Sequence, residues 1–241
     1  MNAEVKQKCT LLGLKSFESN LDEVIDFSNQ KNWSFLKTLD HLLSLEAERK
    51  RNLRIESCFK NSKLNEKLTL DRFDFDHHGS RKKQKNVIKN LNHPEFINQQ
   101  KDVILIGNPG VGKTFIAKCI GYQATQMGIK VLFTTAIEMI NQLIAAEADH
   151  SLLKKLKTYQ SPDLLICDEL GYLPLGGNGS NLFFQVISAR HQQKSTLITT
   201  NLSFANWGYI FDNTTVATAI ADRLVNNSEI LLLEGKSYRQ K

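Results

Sequence analysis

Residues 107–114 read Gly-Asn-Pro-Gly-Val-Gly-Lys-Thr and follow directly on the apolar run VILI. Their spacing fits the pattern G-x-x-x-x-G-K-[ST] in full. Glycines at these positions let the backbone wrap around an anion at close range, with some residues at positive φ. A helix that opens at Gly112 would also direct its positive dipole end at that anion. The motif therefore predicts a strand, a phosphate-binding loop and a helix in direct succession.

This loop, called the P-loop below, predicts a site for Mg-ATP rather than a glycine-rich turn with an incidental lysine. Lys113 is expected to reach the β and γ phosphates, and the Thr114 hydroxyl is expected to contact Mg²⁺. The other loop residues expected to bind the nucleotide are Gly107, Asn108, Pro109, Gly110, Val111 and Gly112. ATP and Mg²⁺ are thus the predicted cofactors.

A second group of candidate residues ends the apolar run LLIC, about fifty residues after the P-loop. Asp168 and Glu169, called the acid pair below, are expected at the carboxyl edge of a sheet, where open α/β folds bind ligands. Asp168 is expected to hold Mg²⁺, usually through water, and Glu169 to act as the general base for the attacking water. Asn201, or Thr200 beside it, is a candidate to orient that water, with a turn asparagine as the alternative.

Short apolar runs alternate with helical stretches from residue 101 onward, which is typical of a mostly parallel sheet. The runs are VILI, KVLFT, LLIC, TLITT and ILLLE. The expected helices between them span residues 112–127, 136–148, 180–193 and 216–226. We therefore expect an α/β P-loop NTPase core over residues 101–241.

The first 70 residues carry apolar positions at spacings of three and four, which predict a small helical module. A helix start is expected at Ser19 or Asn20, ahead of Glu23. Apolar residues become sparse over residues 71–100, where Gly79 and Ser80 interrupt the pattern. We expect this stretch to be a linker between the module and the core.

The chain has a formal net charge of +6 and a pI near 9.1, which weakly favours a polyanionic partner. Two basic clusters are candidates for DNA binding, with a solvated surface as the alternative for each. They are Arg49, Lys50, Arg51 and Arg54, and then Arg81, Lys82, Lys83 and Lys85.

No apolar run is long enough for a membrane span, and the N-terminus lacks the apolar segment of a signal peptide. We therefore expect a cytoplasmic protein with no membrane partner. The four cysteines are scattered, so buried free thiols are expected rather than a zinc site or disulfides.

Several longer stretches resemble one known group of proteins. These stretches are LLGLKSFESNLDE, LDRFDFDHH, GNPGVGKTFIAKCIGYQA, LLICDELGYLPL, LFFQVISARHQQKSTLITTNLSFANWGYIF, ATAIADRL and GKSYRQK. The chain resembles the AAA+ ATPases of the IstB type, which help IS21-family transposases, and their relatives the DnaC-like helicase loaders. The resemblance covers nearly the whole chain.

The resemblance implies roles for residues outside the P-loop and the acid pair. It marks Asn201 as a sensor residue, Arg223 as an arginine finger that acts on a neighbouring subunit, and Arg239 as a second sensor that contacts the nucleotide. Arg190 is a further candidate to face a neighbour's ATP. A surface ion pair is the alternative for each arginine. The resemblance also implies an ATP-dependent homo-oligomer, double-stranded DNA and an IS21-type transposase as partners.

The chain departs from a full AAA+ module after Asn201, where 40 residues remain. That length is too short for the usual four-helix lid, so a full C-terminal lid is not expected. Without that lid the sequence does not define the adenine pocket, and residues 72–75 are candidates to cover the base.

Three functions are compatible with these residues. The first is a transposition helper that assembles on duplex DNA with ATP and recruits or regulates a transposase. The second is a helicase loader, whose N-terminal helices would grip a replicative helicase. A small-molecule kinase fits less well, because such kinases generally need a mobile lid with several further arginines, whereas an acid pair suits activation of water.

Overall fold

Five parallel strands form a sheet in the computed structural model, which describes residues 2–211, 213–235 and 237–238. The strands are β1 (Asp102–Gly107), β2 (Val131–Thr135), β3 (Leu164–Leu170), β4 (Ser195–Thr200) and β5 (Ser228–Leu233). Their order in the sheet is β2-β3-β4-β1-β5, so β4 lies between β1 and β3. The carboxyl ends of these three central strands therefore meet at one edge, where ligands bind in open α/β folds.

The helices include the four that the sequence predicts between the strands. In the described residues the α-helices are α1 (Asn2–Leu11), α2 (Lys15–Gln30), α3 (Phe35–Asn61), α4 (Gly79–Leu91), α5 (Glu95–Asn98), α6 (Lys113–Gln126), α7 (Ala136–Ala148), α8 (Leu152–Gln160), α9 (Gly176–Arg190) and α10 (Thr214–Val225). Within the described ranges, none of these helices has the length and apolar character needed to cross a membrane.

Helices cover both faces of the sheet, and the side chains of each strand alternate between these two faces. In β1, Val103 and Leu105 are buried in a cluster that includes Ile116 of α6. Ile104 points to the other face and is buried in a cluster that includes Phe183 of α9. The predicted α/β fold with a parallel sheet between helices is confirmed.

The first 57 residues form a compact unit, and residues 58–241 form a second one. In the first unit, Leu21 and Val24 of α2 are buried with Leu42 of α3. This small apolar core is what the helical spacing of the N-terminal residues predicts.

The start of α2 depends on a residue far along the chain. The helix begins at Lys15, ahead of the two positions expected from the sequence, so that prediction is wrong. The carboxylate of Glu46 accepts hydrogen bonds from the backbone N–H groups of Ser16, at 2.7 Å, and Phe17, at 3.3 Å. Such first-turn amides have no partner within their own helix. A carboxylate from α3 therefore fixes where α2 begins.

The stretch expected to be a linker, residues 71–100, instead belongs to the second unit. Phe73, Phe75 and Ile88 are buried in the same cluster as Val103. Because each aromatic side chain buries a large apolar area, a few of them anchor a segment in which apolar residues are sparse. The division between the units accordingly falls after residue 57 rather than at residue 70.

A buried polar network lies at the amino end of the sheet, away from the P-loop. The Asp102 carboxylate accepts a hydrogen bond from the backbone N–H of Thr196 at 2.6 Å. The Thr196 hydroxyl in turn accepts one from Nε of Arg190 at 3.1 Å. Burial raises the pKa of Asp102 to about 7, although the Thr196 amide and the positive charge of Arg190 act in the opposite direction.

This raised pKa predicts how the stability of the protein changes with pH. Between about pH 4 and pH 7 the folded state keeps the Asp102 proton while the unfolded state has lost it, so the unfolding free energy falls as pH rises. The loss is at most about 1.4 kcal/mol per pH unit. Asp102→Asn keeps the acceptor oxygen without the charge. The unfolding free energy of this variant, relative to that of the parent, should therefore increase between pH 4.5 and pH 7.5. Urea unfolding at several pH values measures this, and parallel pH profiles for the two proteins would contradict it.

Candidate nucleotide-binding site

The P-loop joins the end of β1 to the start of α6, as the motif predicts. Gly110 and Gly112 have φ angles of +83° and +101°, a region that side chains disfavour. A Cβ atom at Gly112 would also lie only 2.7 Å from Cε2 of Phe73. The backbone conformation and the close packing together require glycine at position 112.

The Lys113 side chain folds back over the P-loop. Its Nζ donates hydrogen bonds to the carbonyl oxygens of Gly107, at 2.6 Å, and Asn108, at 2.9 Å. Lys113 is also the first residue of α6, so its ammonium group lies at the positive end of a helix dipole. A cation held beside the first-turn amides of a helix is suited to binding phosphate oxygens.

The P-loop and the acid pair meet through one hydrogen bond. The Thr114 hydroxyl donates to Oδ1 of Asp168 at 3.0 Å, and the Asp168 side chain is buried. A hydroxyl and a carboxylate side by side at a helix N-terminus are the hard oxygen ligands that Mg²⁺ takes beside nucleotide phosphates. The donor set therefore fits the ion predicted from the sequence.

Glu169 lies on a bulge near the end of β3. It has a φ angle of +60°, which is rare for a residue other than glycine, and its side chain is exposed between buried Asp168 and Leu170. Strained backbone of this kind persists only where the surrounding structure holds it, and it is often found at functional sites. The bulge presents the Glu169 carboxylate at the same sheet edge as the P-loop.

Thr199 makes hydrogen bonds to both members of the acid pair. The sequence did not predict it as a site residue. Its Oγ1 accepts a hydrogen bond from the backbone N–H of Glu169 at 3.0 Å and donates one to Oδ1 of Asp168. The run TLITT offers three threonines, and sequence alone does not show which of them faces the acid pair. The pairing of β4 with β3 makes that selection.

Asn201 directly follows β4 at this edge and is exposed. Thr200, its alternative, is buried, and its hydroxyl accepts a hydrogen bond from the backbone N–H of Leu202 at 3.1 Å. Thr200 therefore stabilises the turn after β4. The role of Asn201 toward water or the γ phosphate stays a prediction.

A cavity of about 230 Å³ lies beside the P-loop. Its walls include Arg72, Phe73 and Asp74, together with Phe115 of α6 and Tyr238. The structure thus places three of the four residues considered as covers for the base next to the phosphate-binding loop. Aromatic walls with a few polar groups are typical of a site for a flat ring.

Arg81 also lines this cavity, and its expected contact with DNA is wrong because the residue is only 2% exposed. Its Nη2 donates to the carbonyl oxygen of Val111 at 2.8 Å, and its Nη1 donates to that of Asp74 at 3.1 Å. The guanidinium carbon lies 4.8 Å from the centre of the Phe73 ring. Burial lowers the pKa of Arg81. Arg81 therefore supports the P-loop through its hydrogen bond to Val111.

Some of the other candidates for DNA binding make contacts within the protein, and others are exposed. Arg49 donates two hydrogen bonds to Glu46, from Nε at 3.1 Å and from Nη2 at 2.6 Å, and this pairing lowers the pKa of Glu46 to about 2. Arg49 thus orients Glu46 while its own side chain stays 28% exposed, and its expected role in DNA binding stays a prediction. Lys85 is half-buried over the Phe75 ring. The exposed members of the two clusters are Lys50, Arg51, Arg54, Lys82 and Lys83.

Arg223 lies on α10 and contacts the neighbouring helix α9. Its guanidinium carbon is 4.6 Å from the centre of the Phe184 ring, and its Nη1 donates to the carbonyl oxygen of Ala219 at 2.9 Å. The described contacts of Arg223 are thus with α9 and α10. They leave its proposed action on a neighbouring subunit as a prediction.

Arg190 does not face a neighbour's nucleotide, contrary to the hypothesis from the sequence. It is 1% exposed and donates hydrogen bonds to the carbonyl oxygens of Tyr159, Gln160 and Pro162 at 2.9–3.1 Å, and also to that of Ser195. Burial lowers its pKa to about 10. Arg190 therefore holds the turns at the amino ends of two strands. Arg239 lies outside the described residues.

The order of the strands, the P-loop after β1 and the acid pair at the end of β3 together define a P-loop NTPase fold of the AAA+ class. Comparison with known proteins agrees. Residues 7–241 match the family model described as IstB-like ATP binding protein. The chain belongs to this family, and the resemblance noted in its sequence is confirmed.

Two relatives extend over almost the whole chain. The protein of insertion sequence IS5376 from Geobacillus stearothermophilus, which is named for ATP binding, is 35% identical over 239 residues, covering 99% of this chain and 94% of its own length. The corresponding protein of IS232 from Bacillus thuringiensis subsp. berliner is 34% identical over 95% of this chain and 91% of its own length. ATP binding is thus a property for which these relatives are named.

Solved structures support the fold. The DnaC helicase loader superimposes with a TM-score of 0.60 at 24% identity, covering 68% of this chain and 96% of that chain. DnaA from Aquifex aeolicus bound to AMPPCP gives a TM-score of 0.59 at 19% identity, covering 73% of this chain and 53% of that chain. At these identities the similarity shows the shared architecture alone.

Proposed function

We propose that this protein is an ATP-hydrolysing, DNA-binding helper of an IS21-type transposase. The observation that carries the proposal is the arrangement of the acid pair: a buried carboxylate that bonds to the P-loop threonine, followed by an exposed carboxylate on a bulge. Membership in the IstB-like family supports ATP as the nucleotide. The names of the relatives connect the family with insertion sequences.

Each residue of the site has a distinct task in hydrolysis. Lys113 and the P-loop amides bind the phosphates, while Thr114 and Asp168 hold Mg²⁺, which when bound neutralises charge on the phosphate oxygens. Glu169 accepts a proton from the attacking water. The cavity beside Phe73 accommodates the nucleoside, so that the phosphates point toward the acid pair.

Arg223 is proposed to complete the site of a neighbouring subunit. Phosphoryl transfer develops charge that an additional cation stabilises, and Arg223 in the last turn of α10 is the proposed cation. We expect Arg223→Ala to lower the rate of hydrolysis about ten- to hundredfold while nucleotide binding is retained.

A mixing experiment separates action within a subunit from action between subunits. Arg223→Ala and Glu169→Gln are each expected to hydrolyse ATP much more slowly than the parent, whereas a mixture should be more active than either variant alone. The Glu169→Gln subunit supplies its arginine to the intact acid pair of the Arg223→Ala subunit. A mixture that stays as inactive as its components would contradict an arginine supplied in trans.

Binding to duplex DNA is the second part of the proposal. The exposed cations of the two basic clusters can neutralise phosphates, and such contacts weaken steeply with added salt. The alternative that the sequence leaves open is a loader of a replicative helicase, and the DnaC helicase loader shares the architecture of the core. Insertion-sequence relatives at 34–35% identity favour the transposition helper.

Strand preference separates the two functions experimentally. Fluorescence anisotropy with equal lengths of duplex and single-stranded DNA, with ATP and at two salt concentrations, should show salt-sensitive binding to duplex. Lys50→Ala combined with Arg51→Ala should weaken it, with Lys118→Ala on α6 as the control. Preference for single strands, with binding to a replicative helicase instead of a transposase, would support the loader.

A further inference from the structure

One threonine hydroxyl connects the acid pair to the middle of the sheet. Thr199 is 1% exposed, and its hydroxyl accepts from the backbone N–H of Glu169 and donates to Oδ1 of Asp168. The same Oδ1 accepts a hydrogen bond from Thr114. Hydrogen bonds therefore run without a break from the main chain of Glu169 to the threonine of the P-loop.

The bulge in β3 explains why Glu169 requires this partner. β3 pairs regularly with β4 up to Cys167 and again at Leu170, so Asp168 and Glu169 together face the single residue Thr199. A bulge disrupts the ladder of backbone hydrogen bonds, and the freed N–H group must find another acceptor. The Thr199 side chain provides that acceptor.

Glu169 has an unusual backbone conformation beside this contact. A φ angle of +60° is disfavoured for glutamate, so it must be held by the surrounding structure. The bond from its N–H to Thr199 holds the residue at the point where the strand would otherwise continue regularly. The result is an exposed carboxylate between two buried neighbours.

We propose that Thr199 is a positioning residue for ATP hydrolysis. It holds Glu169 in the conformation that presents its carboxylate to water, and it orients Asp168 toward Thr114. A hydroxyl is needed because it donates and accepts at the same time, whereas valine, with a similar shape, does neither. The proposal rests on the hydrolysis proposed above.

Three substitutions at this position test the role of the hydroxyl. Serine and cysteine are similar in size, but the thiol is a much weaker hydrogen-bonding group, and valine has none. We expect Thr199→Cys and Thr199→Val to lower kcat for ATP hydrolysis about tenfold or more. Thr199→Ser should keep most of the parent kcat. The loss in kcat should exceed any change in the KM for ATP, because Lys113 and the P-loop amides still bind the phosphates and Asp168 keeps its carboxylate.

Thr196→Val is the matched control. Thr196 is a buried threonine of the same strand at the opposite end of the sheet, where its hydroxyl accepts from Arg190. This variant should keep the parent kcat and KM per folded molecule. If Thr199→Val does not fold, the comparison of serine with cysteine, which are similar in size, decides the question.

The outcomes separate the inference from the proposed function. The parent protein is measured first, and an absence of hydrolysis there contradicts the proposed function itself. With an active parent, undiminished kcat in Thr199→Cys and Thr199→Val overturns the inference, as does an equal loss in Thr199→Ser. An equal loss in Thr196→Val assigns the effect to strand packing and also overturns it.

Discussion

Lys113→Ala should lose ATP binding, with an affinity at least about a hundredfold below that of the parent. The lysine ammonium is held over the P-loop by the carbonyl oxygens of Gly107 and Asn108, at the start of α6. Its removal takes a positive charge from the place where the phosphates are proposed to bind, and hydrolysis should stop as well. Titration with a fluorescent ATP analogue measures the affinity directly.

Lys118→Ala is the matched control for this prediction. Lys118 lies on the same helix, and its Nζ is 5.4 Å from the centre of the Phe133 ring. The control makes the same change of charge and should bind the analogue as the parent does. Parent-like affinity in Lys113→Ala would show that the nucleotide does not bind at the P-loop.

Glu169→Gln should separate ATP binding from hydrolysis. The amide has nearly the same shape as the carboxylate but cannot accept a proton from water, so turnover should fall about 10²- to 10⁴-fold. The contacts of Lys113, Thr114 and Asp168 are unchanged, so the affinity for ATP should remain near that of the parent. Phosphate release and analogue binding measure the two quantities on the same preparation.

An exposed glutamate outside the site provides the control for that change of charge. Glu95→Gln on α5 should hydrolyse ATP at the rate of the parent. Substantial turnover in Glu169→Gln would mean that another group activates the water. Loss of binding together with turnover would instead indicate that Glu169 supports the fold of the bulge.

The sequence predicted the sheet, the P-loop and the acid pair because their signals are local. The apolar runs mark strands that are buried on both faces, and the P-loop motif must lie between a strand and a helix. Asp168 and Glu169 are placed by the end of their own strand. None of these predictions needs knowledge of which strands are neighbours.

Thr199 and the bulge lay beyond this kind of prediction. Which β4 residue contacts the acid pair depends on the register between β3 and β4, and that register shifts between Cys167 and Leu170. The start of α2 is a similar case, because the carboxylate that satisfies its first amides comes from Glu46, thirty residues away. Contacts at long range determine both features.

Arg81 and Arg190, which are both buried, were assigned the wrong roles although a local signal was present. Arg81 shares the buried face of α4 with Ile88 and Leu91, at spacings of seven and three residues. Arg190 likewise follows Phe183 and Val186 on the buried face of α9. Helical periodicity predicts both positions once a basic residue is allowed on an apolar face. Reading Arg81 as one of a run of exposed charges concealed its place beside the P-loop.

The proposed site is tested most directly by an experimental structure of the protein with Mg²⁺ and a non-hydrolysable ATP analogue. We expect the γ phosphate beside Lys113, the metal between Thr114 and Asp168, and the Glu169 carboxylate facing a water near the γ phosphate. An analogue bound away from the P-loop, or a Glu169 side chain directed away from the phosphates, would contradict the proposed site.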